Sequence, residues 1–340
     1  MRTARLAGSS ILLLGLVLLG GCGRKDGKVR LEGIGSSFVD PMMSEWKELY
    51  LAEHGVEINY QPKGSGAGIS AMTSGDADFG CSDAPMNDEQ LEKAEKEVGE
   101  VLHIPLVMGA IVPTYNLKGV DDLVFTGQVL MDVYRGKIRT WDHEDIKKLN
   151  PDRDLPGTKI SVVYRSDSSG STYILTDYFT KVNARAWKPG RGTAIDFPVG
   201  TGGKGNPGVA ELVRQTEGAI GYVELIYALK SKLPYGSVIN KAGKPIKATT
   251  RSVTAAAATA TIPADLRFSI TDAPGKDAYP IAGTVWALVY VKQPSDKRQA
   301  IKEFLHWVTH EGQKHADNLH YAPLPANLVK KVEKKLDLIE

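Results

Sequence analysis

Arg165-Ser166-Asp167-Ser168-Ser169-Gly170-Ser171 stands between an apolar β-type run, residues 160–164, and a stretch whose apolar members Ile174, Leu175, Tyr178 and Phe179 recur at helical spacing. The segment reads as strand, polar loop, helix. Two further segments have the same order. Gly33-Ile34-Gly35-Ser36-Ser37-Phe38 follows a first short strand and precedes Met42, Met43, Trp46, Leu49 and Tyr50. Gly64-Ser65-Gly66-Ala67-Gly68 follows a strand at 56–60 and precedes a short helix ending near Ser74. Strand and helix alternation of this kind places the chain in the α/β class.

Working outward, further strands are expected at 101–107, 109–115, 219–222 and 284–291, and helices after Ser37, Ala67, Asp88, Ser171 and Asn206. The last of these begins Asn206-Pro207, as a cap and a first-turn proline would. Residues 241–244 read as a hairpin tip and 255–260 as a short helix. After the last long strand come helices at 295–310 and 326–339, a C-terminal packing segment. If that segment docks on the first part of the chain, the backbone crosses between two lobes twice, near 107–111 and near 281–286.

The N-terminus carries Arg2 and Arg5 ahead of an apolar run, 11–19, too short to span a bilayer comfortably. Residues 1–21 therefore read as a signal peptide. Leu19-Gly20-Gly21-Cys22 resembles a bacterial lipobox, with Cys22 acylated and residues 22–28 a polar tether; an ordinary secretory signal with an incidental cysteine is the alternative. The expectation is an extracytoplasmic, lipid-anchored protein. Cys81 is the only other cysteine, so no intramolecular disulfide is expected even in an oxidising compartment. Of 42 basic residues, two leave with the signal, giving 40 against 40 acidic ones. Without a polybasic field, nucleic-acid binding is not expected. Any anion would be held by local geometry.

The first turn of a helix exposes unpaired N–H groups and the positive end of the helix dipole, and nearby hydroxyls add donors. A single serine-glycine loop is more often just a cap. Three of them, at strand ends of an open α/β sheet, can converge on one cleft. The nucleotide alternatives fail on spacing: there is no GxxxxGK[ST], no properly placed GxGxxG, and Gly202-Gly203-Lys204-Gly205-Asn206-Pro207 has the wrong order.

Two charged residues lie in apolar or glycine-rich surroundings. Arg165 would make a forked contact with an oxyanion, its guanidinium held by Asp167. Asp83, in Asp78-Phe79-Gly80-Cys81-Ser82-Asp83-Ala84-Pro85, accepts hydrogen bonds only when ionised. In a dry anion site it would require a ligand that still carries a proton, as phosphate does and sulfate does not. Equally open on these residues is a structural part for Asp83, capping the helix near Asp88 or forming a salt bridge. A serine hydrolase or phosphatase is the competing class, but no loop motif supplies a base. His306 and His310 are spaced i, i+4 and read as exposed helix side chains, a metal pair being the alternative.

Together these residues resemble the phosphate-binding lipoproteins of bacterial high-affinity phosphate ABC transporters, the PstS family, over nearly all of the chain beyond the signal. The resemblance rests also on Gly136-Lys137-Ile138 with Trp141-Asp142, on Gly202-Gly203-Lys204-Gly205-Asn206 and on Gly218-Ala219-Ile220-Gly221-Tyr222-Val223-Glu224. It implies a two-lobed periplasmic-binding-protein fold of type II, each lobe a central sheet flanked by helices, with two hinge crossings. Residues 29–108 plus 285–340 would form one lobe and 109–284 the other. It further implies a monomer that binds inorganic phosphate and delivers it to a membrane permease, with no enzyme activity, cofactor or metal; arsenate or sulfate is the alternative ligand.

By the same resemblance, a hydroxyl and the following amide fall on Ser37 and Phe38, a second-loop serine on Ser65, and the acceptor on Asp83. The arginine and the helix-start donors fall on Arg165, Ser169, Gly170 and Ser171, with Asp167 in support. Ser37 and Ser171 stand where threonine is an alternative in relatives, and keep the hydroxyl. The second loop reads Pro62-Lys63-Gly64-Ser65-Gly66-Ala67 in place of Gly-Ser-Ser-Gly, so Gly66 offers only its backbone. Cys81 is assigned to the core.

Overall fold

The computed structural model describes residues 29–340; the signal peptide, Cys22 and the tether lie outside the described residues. The first elements are β1 (Arg30–Gly35), α1 (Asp40–His54), β2 (Glu57–Gln61), α2 (Ser65–Ser74), β3 (Phe79–Ser82), α3 (Asp88–Glu97) and β4 (Val101–Tyr115). There follow β5 (Val124–Phe125), α4 (Gly127–Tyr134), α5 (Glu144–Leu149), β6 (Ser161–Arg165), α6 (Gly170–Asn183), β7 (Thr201–Gly203) and α7 (Gly205–Gln215). Next come β8 (Ala219–Glu224), α8 (Leu225–Lys230), β9 (Ser237–Ile239), β10 (Pro245–Ile246) and α9 (Thr250–Ala257). The chain closes with β11 (Ala282–Tyr290), α10 (Arg298–Thr309) and α11 (Ala326–Leu336). The small elements β5, β7, α4, α5 and α8 carry too little periodicity to be expected from sequence.

Eight strands form one mixed sheet in the order β2-β1-β3-β11-β4-β8-β6-β7. β1 is parallel to β2 and β3, and β6 is parallel to β7 and β8. The antiparallel strands β11 and β4 join these two parallel sets. Where sequence suggests two strands, 101–107 and 109–115, the structure has one. β4 pairs β11 through Ala110 and then β8 from Ile111 onward. The pattern breaks at Gly109 because Phe38 crosses there: a Cβ on Gly109 would fall 2.7 Å from the Phe38 ring. A bulge between Val285 and Trp286 absorbs the Pro105-Leu106 irregularity opposite.

All of β4 and β11 is buried, as continuous apolar strands covered on both faces should be. α10 and α11 pack on β4, bringing the C-terminus back onto the first half of the chain. Trp46 and Trp141 are fully buried, and each indole N–H finds a carbonyl, Gly312 O and Gly218 O, at 2.9 Å. Cys81 lies in β3 with no exposed surface. Among the described residues no helix is long and apolar enough to cross a membrane.

At the end of β1 the chain passes so close to β3 that Gly35 has no room for a side chain. Its φ is +142°, and a Cβ there would lie 2.0 Å from Cys81 O. Gly35→Ala is therefore expected to lower the free energy of unfolding by about 3 kcal/mol, combining backbone strain with overpacking. A denaturant melt at unchanged m-value measures it.

Candidate anion-binding site

The ends of the parallel strands bring the three serine-glycine loops together. In α6, Ser169 is the N-cap, its Oγ accepting from Thr172 N at 3.3 Å, and Tyr173 N donates to Ser169 O. The amides of Gly170 and Ser171 remain as donors of the first turn. In α2, Gly64 is the N-cap and Ala67 and Gly68 donate to its carbonyl, while Gly66 N reaches Ser168 O at 2.9 Å. That leaves the Ser65 amide as a free donor of the first turn. A Cβ on Gly66 would lie 2.1 Å from Ser168 Oγ, so the loop has glycine because the third loop packs against it.

Asp83, just past β3, sits at the centre. It is 2% exposed. Ser65 Oγ donates to its Oδ1 at 2.8 Å and accepts its amide at 3.1 Å; Ser171 Oγ lies 3.5 Å from Oδ2. Gly170 is pressed so closely that a Cβ would fall 2.3 Å from Asp83 Cγ. Burial pushes the Asp83 carboxyl above its ordinary range, although hydrogen bonds from Ser36 and Ser65 and the Arg165 charge pull the other way. The helix near Asp88 has its own cap: Asn87 forms a capping box with Gln90, which removes capping as a reason for Asp83.

Arg165, at the end of β6, is almost fully buried and bidentate with Asp167: Nε to Oδ1 at 2.8 Å and Nη2 to Oδ2 at 2.5 Å. Its Nη1 approaches Ser171 Oγ at 3.4 Å. For Asp167, burial would raise the carboxyl, but the Arg165 hydrogen bonds and charge, with the Gly205 amide at 2.9 Å, hold it below the usual range. The guanidinium is thus oriented from one side, leaving its other face to the cluster.

In the first loop, α1 begins at Asp40, so Ser37 and Phe38 precede the helix and do not form its first turn. Three buried tyrosine hydroxyls hold three successive carbonyls: Tyr60 to Ser36 O at 2.7 Å, Tyr227 to Ser37 O at 2.6 Å and Tyr321 to Phe38 O at 2.6 Å. Because C=O and the next N–H point oppositely in a trans peptide, this turns the Ser37 and Phe38 amides to the other face. Phe38 N donates to Ser36 Oγ at 2.9 Å. Sequence reasoning missed all three tyrosines, and only tertiary contact identifies them. Asn206 also departs from expectation. It is the second residue of α7 and not its cap, which is Lys204, and its side chain reaches Ser37 Oγ at 3.1 Å.

A cavity of about 230 Å³, lined by Ser37, Lys63, Asp167, Lys204 and Gly205 among others, flanks the cluster. A wider groove of about 740 Å³ lies toward Asn87 and Phe268, but its arginines are paired, Arg267 with Asp88 and Asp265 and Arg191 with Asp177. Among the described residues no group of three or more His, Cys, Asp or Glu side chains is placed to hold a metal. His306 and His310 stack at 4.0 Å; His306 is exposed, and His310 is half-buried and pairs with Glu333. The cluster around Asp83 thus offers hydroxyl, amide and guanidinium donors around one buried acceptor.

The chain matches the PBP superfamily domain over residues 23–311. It is 42% identical over 313 residues to the phosphate-binding protein PstS of Xylella fastidiosa (strain Temecula1), covering 90% of this chain and 84% of that one. Against PstS of Methanocaldococcus jannaschii the identity is 37%, covering 90% and 85%. In fold it is similar to a high affinity periplasmic phosphate-binding protein, PfluDING, solved with phosphate: TM-score 0.76, 18% identity, covering 90% of this chain and 93% of that one. On this ground, and with its mixed sheet and helix-start loops, the chain belongs to the PstS family of phosphate-binding proteins, within the PBP superfamily.

Proposed function

We propose that the protein is an extracytoplasmic receptor that binds inorganic phosphate with high affinity and delivers it to an ABC importer. The observation that carries this reading is Asp83: a buried carboxylate among converging donors. Ser37, Ser65, Arg165, Ser169, Gly170 and Ser171 supply the donors, and the Phe38 amide shares its hydrogen between Ser36 Oγ and the ligand. An ionised Asp83 accepts the proton that monohydrogen or dihydrogen phosphate carries. Sulfate has none to give, and two lone pairs would face each other. PstS proteins are substrate-binding proteins and not enzymes.

Residues 29–108 plus 285–340 form one lobe in this proposal and 109–284 the other, with ligand held between them. β4 and β11 are then the crossings. Several contacts already run across that division, among them Gly66 N to Ser168 O and Ser171 Oγ to Asp83. The protein acts as a monomer, tethered through acylated Cys22, and passes its ligand to a membrane permease.

Five outcomes test the reading. In titration calorimetry the protein lacking residues 1–21 should bind one phosphate and give no heat with equimolar sulfate. Arg165→Ala should weaken phosphate by about a hundredfold or more, since it removes charge-assisted hydrogen bonds, whereas His306→Ala should leave binding unchanged; equal losses would sink the site assignment. Asp83→Asn should raise sulfate affinity by about tenfold or more, as the lone-pair conflict disappears. The same variant should melt higher than the parent at neutral pH without ligand. A carboxyl raised by burial stabilises the fold most at acid pH and loses that contribution as pH rises through its raised value, so the neutral amide removes a cost present at pH 7. Finally, Cys22→Ser should shift the expressed protein from the membrane pellet to the soluble fraction.

A further inference from the structure

Asn206 is fully buried at the start of α7, and it holds Ser37 from the opposite side of the proposed cleft. Its backbone N donates to Ser37 Oγ at 3.2 Å and its side-chain Nδ2 donates to the same oxygen at 3.1 Å. The orientation of the amide is set independently. Its other end lies 2.9 Å from the backbone N of Glu224, which can only donate, so Oδ1 must be there and the NH₂ group must face Ser37. The turn that aims these groups depends on Gly205, whose φ of +68° lets successive amides reach Asp167 Oδ1 and Ser37 Oγ.

A serine hydroxyl has two lone pairs and one proton. Both lone pairs of Ser37 Oγ receive N–H donors from Asn206, and neither donor can reverse. We infer that Asn206 is a positioning residue that fixes the polarity of Ser37, leaving its hydroxyl able only to donate and turning it toward a bare oxygen of the bound oxyanion. Tyr227, bonded to Ser37 O, holds the same residue from the same side. The consequence is a division of labour in the cleft. Ser37 recognises an unprotonated oxygen, and Asp83 the protonated one.

This inference rests on the phosphate reading, and a double-mutant cycle separates the two. Phosphate affinity is measured by calorimetry for the parent protein, Asn206→Asp, Ser37→Ala and the double variant. Asp at 206 is nearly isosteric but presents an acceptor, which draws the Ser37 proton away from the ligand. It should weaken phosphate by about a hundredfold in the Ser37 background, through the lost donor and charge repulsion together. In the Ser37→Ala background only the repulsion remains, and the penalty should be at least about tenfold smaller. Equal penalties in both backgrounds, or none in either, would overturn the polarity assignment while leaving phosphate binding intact. Failure of the parent protein to bind phosphate would overturn both. Should Asn206→Asp not fold, the same cycle with Asn206→Ala decides: a loss of about fivefold that vanishes without the Ser37 hydroxyl supports the assignment, and an undiminished loss overturns it.

Discussion

A carboxylate that has left water must find compensation, and around Asp83 much of the structure is arranged to provide it. Its partners are the hydroxyls of Ser36 and Ser65 and, more distantly, Ser171. The nearby cation is already bidentate with another carboxylate, Asp167. Asp83 therefore keeps unused acceptor capacity in a dry place, which is costly for a polar group without a proton donor. The first turns of α2 and α6, the strand ends and the tight glycines at 35, 66 and 170 follow from bringing donors close to that point without filling it with side chains.

The β7–α7 turn shows how few residues can serve two supports. Gly205 N steadies Asp167, and through it Arg165; Asn206, one residue on, steadies Ser37. Glu224 closes the arrangement, its backbone N bonded to Asn206 and its Oε2 within 3.3 Å of the Tyr321 hydroxyl, which in turn holds Phe38 O. Burial pushes the Glu224 carboxyl well above the ordinary range, against hydrogen bonds from the Ile226 amide and the Tyr321 hydroxyl.

What can be read along the chain is what local chemistry decides. Apolar periodicity located the long strands and helices within a few residues, because each needs one buried face or two. The serine-glycine loops announced themselves through residues that cap helices and tolerate close approach. Continuity of β4 was not legible, since Gly109 breaks a strand pattern in sequence while in space it makes room for Phe38. Asn206 looked like a cap, a role its residue type favours, and only the approach of Ser37, 169 positions away, gives it another. Tyr60, Tyr227 and Tyr321 lie in unrelated segments, and no spacing could have shown that their hydroxyls meet three consecutive carbonyls.

Cys81 has a consequence of its own. The thiol is enclosed in β3 beside Tyr60, and burial pushes its pKa well up, so the reactive thiolate is scarce for as long as the strand stays in place. A water-borne thiol reagent therefore meets it only in molecules whose sheet has come apart at β3. The residue is a built-in clock for such openings: its labelling rate counts how often β3, the strand that leads into Asp83, is exposed to solvent.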